Sequence, residues 1–454
     1  MRSAFESYLQ PIQSWWIYYF GVSEPSVLIT PFAQILAILN RARDFLSNYT
    51  SNSPSYSPHD PNMCSTKSIG CDEKYVNCLH RFDVHYVNQL LNEFDWCLEV
   101  LDSLQSKRSV SSLTRMKFII NNQSNLAPDL FKLDQISNHH PLSTFGFYLF
   151  MKTNVLQKLS IPSVTMLNCL RQIESRYNST APFHNSIHAL DVLHATYQLF
   201  QCNSLKNIFS DLETFAIFFA SAIHDIDHPG LTNQYLINTN HELALLYNDI
   251  SVLENHHLHV AFKLINTQIE CDFTKYFTNQ QKLLFRKMVI ALVLSTDMSK
   301  HMSLLADLKT SVEKQKAFQG NVINLDSYSA RMQILECIIH AADLSNPTKP
   351  LKIYQEWVSR IMEEMFRQGD QEKQYGIEIS PMCDRETACI YSTQIGFIDY
   401  IVYPLWETMA ELLHPGLQVL MDNITNNRNW YVKAKEEEEE EVKEENKKNN
   451  SIDQ

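Results

Sequence analysis

Glycine is scarce in this chain, with nine among 454 residues. No two of them form GxGxxG, or GxxxxGK followed by Ser or Thr, so a glycine-rich loop cradling phosphates is excluded. Long apolar runs are missing too. No stretch approaches the roughly 18 residues a spanning helix needs, and the N-terminus lacks a basic-then-apolar leader, so the expected compartment is the cytosol. The ten cysteines show no CxxC spacing and read as reduced thiols. Cys64, Cys71, Cys78 and His80 fit no standard zinc-finger spacing. Positive charge is in deficit, 38 Lys and Arg against 51 Asp and Glu, and the net charge of −13 argues against a nucleic-acid partner.

Apolar residues make up 44% of the chain, ample for a large core, and the length allows two or three domains. An aromatic cluster, Trp15, Trp16, Tyr18, Tyr19 and Phe20, suits docking on the protein's own surface or, as a secondary reading, peripheral association with a membrane. Phe32, Ile35, Leu36 and Leu39 follow helical spacing, and a polar linker runs from there to about residue 70. A second amphipathic segment covers His85 to Leu104. Beyond about Phe131, helix-period segments follow one another without period-two alternation, which predicts an all-α assembly. The stretch 433–454 carries nine acids against five lysines and has no apolar face, so it reads as an acidic, disordered tail.

Nine of the 17 histidines fall between His184 and His259. His184 and His188 stand at i and i+4, which would put two imidazoles on one helix face. Ser210 and Glu213 form a capping-box pattern opening a helix that is apolar all round and ends at His224 and Asp225. An imidazole and a carboxylate at the end of a buried helix need compensation, and a cation supplies it. A further helix, with Met332, Leu335, Ile339 and Ala342 on one face, delivers Asp343. The set His188, His224, Asp225 and Asp343 suits a borderline cation such as zinc. If Asp225 bridges, a harder ion such as Mg²⁺ can be held mainly by water. Two ions sharing a hydroxide would give phosphodiester hydrolysis chemistry at neutral pH. His184 is then placed to protonate the leaving alkoxide, while His228, Glu254, Thr296 and Asp297 are candidates to orient ligands and waters. Gln394 shares an apolar face with Phe397, Ile398 and Ile401; a buried amide there could read a purine edge while Phe397 stacks on the ring.

The motifs HNSIH (184–188), HDIDHPG (224–230), LINTN (236–240), VLENHH (252–257), TDMSKH (296–301), ADLSNP (342–347) and QIGFIDY (394–400) together resemble the class I cyclic-nucleotide phosphodiesterases, in order across roughly residues 130–432. NPTKP, RIMEEMFRQGD, EISPMCD and DYIVYPLWET bring the chain nearest to the cAMP-specific, rolipram-sensitive type 4 group. The resemblance implies a compact HD-type catalytic domain of about sixteen helices over 126–432. It implies zinc on His188, His224, Asp225 and Asp343, with Mg²⁺ on Asp225 through waters and Mn²⁺ an alternative there. It implies that His184 is the general acid, that Gln394 selects purines, that Asn346 and Tyr354 line the base pocket, and that Ile361 and Phe397 clamp the ring. The implied reaction is hydrolysis of the 3′ ester of cAMP to 5′-AMP. Residues 1–125 resemble parts of the type 4 upstream regulatory regions, through which a homodimer would form, but most of the first region is missing. Phe183 stands where the family usually carries tyrosine. Two competing readings are a catalytically weak cAMP-binding scaffold, opposed by the retention of every expected ligand, and an HD-type phosphohydrolase of another nucleotide, opposed by Gln394, Phe397 and Asn346.

Overall fold

The computed structural model describes residues 128–317, 325, 327–413 and 416–452, all within one compact unit that spans 113–454. The aromatic N-terminal cluster, the two upstream amphipathic segments and the cysteine group at 64–78 lie outside the described residues. Among the described residues there are sixteen α-helices and no strand, in agreement with the expected all-α class. The first four are α1 (Leu130–Ile136), α2 (Phe147–Lys152), α3 (Val155–Lys158) and α4 (Ser163–Glu174). The site is built from α5 (Ser186–Phe200) and α6 (Asp211–Ile223), followed by α7 (Asn233–Asn238), α8 (Glu242–Tyr247) and α9 (Val252–Thr267). Then come α10 (Asn279–Leu294), α11 (His301–Ala317), α12 (Tyr328–Asp343) and α13 (Leu351–Tyr375). The last three are α14 (Ile390–Phe397), α15 (Tyr403–Leu412) and α16 (Gln418–Ile452), with a π turn, Ile398–Val402, joining α14 to α15.

Helix α6 is the spine. Its capping box forms as the sequence predicts: the Glu213 backbone N–H donates to Ser210 Oγ at 3.3 Å, and the Ser210 N–H donates to the Glu213 carboxylate at 2.8 Å. Phe215, Phe218 and Phe219 are fully buried on it, each contributing about 1.5–3 kcal/mol by removal from water. Phe215 and Phe219 pack edge-on to Phe273 on one side. Helix α6 packs against α5 and α10, and α5 also packs against α12. This arrangement brings the start of α5 and the ends of α6 and α12 to one place.

The segment 433–452, expected to be a disordered tail, instead continues α16 to Ile452. Glutamate and lysine are good helix formers, and the pairs Lys433–Glu437 and Lys435–Glu439 stand at i,i+4 along it. The run Glu436–Glu441 is nonetheless solvated, as its lack of an apolar face requires.

Candidate metal and nucleotide site

Four side chains from three helix ends converge. His188 lies in the first turn of α5, His224 caps the C-terminus of α6 with Asp225 following it, and Asp343 closes α12. His188 Nε2 is 3.0 Å from Asp343 Oδ1 and 3.4 Å from Asp225 Oδ2. His224 Nε2 is 3.0 Å from Asp225 Oδ2 and 3.3 Å from His188 Nε2. One donor atom from each residue fits within 4.8 Å of all the others. His224 Nδ1 donates to the Ser221 carbonyl at 3.0 Å, which leaves its Nε2 aimed inward.

The electrostatics identify what this cluster demands. Burial opposes charge on both imidazoles, but Asp225 and Asp343 outweigh it and hold His188 and His224 above the ordinary histidine range. Burial likewise opposes ionisation of the two carboxyls, yet the imidazoles draw both well below the usual range. A cluster that keeps its carboxylates charged by recruiting positive charge onto buried imidazoles is suited to a divalent cation, which supplies that charge with the rings neutral. The donor set of two nitrogens and two oxygens therefore fits a metal ion.

His257, which sequence reasoning passed over, adds to this. Its Nδ1 donates to the Ile226 carbonyl at 2.6 Å, so Nε2 carries a lone pair and faces another acceptor, Asp225 Oδ1, at 3.7 Å. Burial holds the ring neutral, with its pKa down at about 4. Two acceptors facing each other suit a protic group between them. The signal was its register, since His257 falls with Leu253 and Ala261 on the buried face of α9.

His184 does not share a helix face with His188. Asn185 is the N-cap of α5, in extended backbone, and its side chain accepts from the Ile187 N–H, so His184 precedes the helix. The two rings stand nearly perpendicular, centroids 5.7 Å apart. His184 Nδ1 meets Glu364 of α13 in a short contact, and the other Glu364 oxygen accepts the backbone N–H groups of Phe183 at 2.9 Å and His184 at 3.1 Å. Burial opposes protonation of His184, but Glu364 overrides it and raises the pKa to about 9. Glu364 is itself lowered to about 2, against burial, by the His184 charge. His228 stacks on His184 at 4.0 Å and is kept neutral, first by burial and then by that charge. Glu364 was legible in principle, being a carboxylate in register with Trp357, Ile361 and Gln368 along α13.

The other predicted orienting residues are distributed nearby. Glu254 accepts from Asn233 Nδ2, and burial, followed by the Asp297 charge, raises it to about 7. Asp297 accepts from Ser251 Oγ at 2.6 Å; such bonds outweigh burial and lower it. The Thr296 hydroxyl donates to the Val293 carbonyl at 2.8 Å.

A cavity of about 670 Å³ opens beside the cluster. His184 and Asp343 stand on its wall, together with Asn346, Tyr354, Ile361, Gln394 and Phe397. Tyr354 Oη donates to Gln394 Oε1 at 2.7 Å. The wall is mostly apolar, with Trp357, Met362 and Met365 adding to Ile361 and Phe397. It can hold a flat ring beside a charged group.

The sequence pattern described as 3′5′-cyclic nucleotide phosphodiesterase matches residues 183–424, and that of the phosphodiesterase 4 upstream conserved regions matches residues 29–127. The 3′,5′-cyclic-AMP phosphodiesterase 4C of Rattus norvegicus is 38% identical, over 89% of this chain and 90% of the rat protein. The probable 3′,5′-cyclic-AMP phosphodiesterase pde-4 of Caenorhabditis elegans is also 38% identical, over 89% of this chain and 74% of the nematode protein. The phosphodiesterase domain of the RhoPDE fusion protein from the choanoflagellate Salpingoeca rosetta superposes with a TM-score of 0.61 at 30% identity, covering 66% of this chain and 92% of that one.

Proposed function

The chain belongs to the 3′5′-cyclic nucleotide phosphodiesterase family, and on that premise we propose that it hydrolyses the 3′ phosphoester of cAMP to 5′-AMP. The observation carrying this reading is that one cavity joins a wall bearing Asp343 and His184 to a wall bearing the amides of Asn346 and Gln394 and the apolar Ile361 and Phe397. A generic phosphatase has no need of the second wall.

His188, His224, Asp225 and Asp343 would hold Zn²⁺, and Asp225, whose second oxygen faces His257, would share a Mg²⁺ held otherwise by waters. Bound there, the cations neutralise phosphoryl charge and generate a water-derived nucleophile at neutral pH. His184, held as imidazolium by Glu364, donates its proton to the departing 3′ oxygen. His228 stacks on that ring and fixes its plane. Glu254, Asp297 and His257 orient solvent around the second cation. Phe397 and Ile361 sandwich the purine, and Gln394 and Asn346 meet its polar edge.

The test measures hydrolysis of cAMP and cGMP by purified protein with Zn²⁺ and Mg²⁺, after chelation, and with Asp225→Ala. Chelator-sensitive cAMP turnover lost in the variant is expected. Tight cAMP binding without turnover would overturn the reading in favour of a binding protein, and preferential hydrolysis of nucleoside mono- or triphosphates in favour of another phosphohydrolase.

A further inference from the structure

Helix α9 starts without help from its own N-cap. Ser251 holds that position in left-handed backbone, with φ at 43°, and its side chain makes no bond to the helix. A serine there ordinarily accepts the N–H of the second or third helical residue. Asn233, the first residue of α7, does so instead: its Oδ1 accepts the Leu253 N–H at 2.9 Å. A backbone N–H can only donate, so the amide is fixed with Nδ2 toward Glu254, whose oxygens it meets at 3.1 and 3.3 Å. Relieved of capping, the Ser251 hydroxyl donates to Asp297 Oδ2 at 2.6 Å. Asp297 Oδ1 accepts the Ser299 N–H at 2.9 Å, so both oxygens of this carboxylate are held.

Left-handed backbone is unfavourable for any residue with a Cβ and free of strain for glycine. What serine offers here and glycine does not is the hydroxyl. The backbone at 251 has its own anchor, since Asn255 Nδ2 donates to the Ser251 carbonyl at 3.1 Å. Burial, and then the charges of Asp297 and Asp225, hold Glu254 up at about 7, so the three acids share one region. Asp225 belongs to the metal-type cluster.

We infer that Ser251 is a positioning residue: its hydroxyl fixes Asp297 where that carboxylate orients the water shell of the second cation, and so sets how tightly the cation is held. This rests on the two-cation reading above and deepens it. A carboxylate already fixed needs no ordering when the hydrated ion arrives, whereas one free to rotate must be ordered at that moment.

The test titrates Mg²⁺ into the zinc-loaded protein and follows heat of binding and cAMP turnover in parallel. In Ser251→Ala the Mg²⁺ concentration at half-saturation should rise at least about tenfold. Zinc content should be unchanged, and kcat at saturating Mg²⁺ should return close to that of wild type. Ser251→Gly separates hydroxyl from backbone. It should be more stable than Ser251→Ala, because glycine accepts this φ, yet show the same rise in half-saturation. In an Asp297→Ala background, loss of the hydroxyl should move half-saturation less than about twofold, since independent effects would add.

An unchanged half-saturation in Ser251→Ala, wild-type affinity restored in Ser251→Gly, a full shift in the Asp297→Ala background, or no Mg²⁺ binding by the wild type would each overturn the inference. Should Ser251→Ala not fold, the unstrained glycine variant makes the same comparison. Wild type that binds Mg²⁺ but hydrolyses neither cAMP nor cGMP would instead overturn the phosphodiester reading, while the heats of binding still decide the role of Ser251.

Discussion

Glu364 grips His184 twice: one carboxylate oxygen meets the imidazole, and the other accepts the backbone N–H of His184 itself. The residues are 180 positions apart in the chain, and their pairing both orients the ring and keeps it charged.

Activity should therefore have an alkaline limb. The proton on His184 is present below its folded pKa and lost as pH rises through about 9, so kcat/KM should fall across that window. In Glu364→Gln the largest raising influence disappears while burial remains, with Asp225 and Asp343 still acting in the raising direction, and the limb should move to lower pH. The linked stability has the same sign: it is full below the unfolded pKa near 6.5 and lost as pH rises through about 9. His184→Ala should cost about 10²–10⁴ in kcat. Profiles of rate against pH for the three proteins check this.

Metal removal should lower thermal stability as well as abolish turnover. A cation at 100 times its dissociation constant stabilises the fold by about 2.7 kcal/mol, which for a domain this large is on the order of 4 °C in Tm. Chelation should remove that increment from wild type and leave Asp225→Ala unmoved. Calorimetry with and without chelator would decide it.

Tyr354→Phe removes one buried hydrogen bond to Gln394. Loss of about 0.5–1.5 kcal/mol predicts a KM for cAMP raised roughly two- to tenfold, with kcat little changed. Steady-state kinetics would show a fall in kcat instead if the tyrosine served the chemical step.

Gly369 sits inside α13 where an added Cβ would lie 2.0 Å from the Cys383 carbonyl oxygen. Backbone cannot yield as a flexible side chain can, so Gly369→Ala should destabilise by at least about 1–3 kcal/mol. It should also displace the loop carrying Met382 at the cavity wall. A denaturation midpoint equal to wild type would contradict this.

Removing residues 436–452 should leave Tm and kcat nearly unchanged. The helix there is held by exposed ion pairs worth about 0–1 kcal/mol each. A thermal melt of the shortened protein is the check.

The sequence by itself determined the helical class, the capping box at Ser210 and Glu213, and the residues of the metal-type cluster. Each rests on spacing along one helix or on a polar group ending an apolar one, and both are local patterns. It also contained the register that marks Glu364 and His257 as polar groups on buried faces, though not what they face. Only the tertiary structure decided that Glu364 belongs to His184 and that Asp191 pairs with both Lys349 and Asn346. Those relationships join groups 155–180 residues apart, and they follow from how helices pack against one another. Periodicity specifies which face of a helix is buried, but the partner that face meets is set by packing.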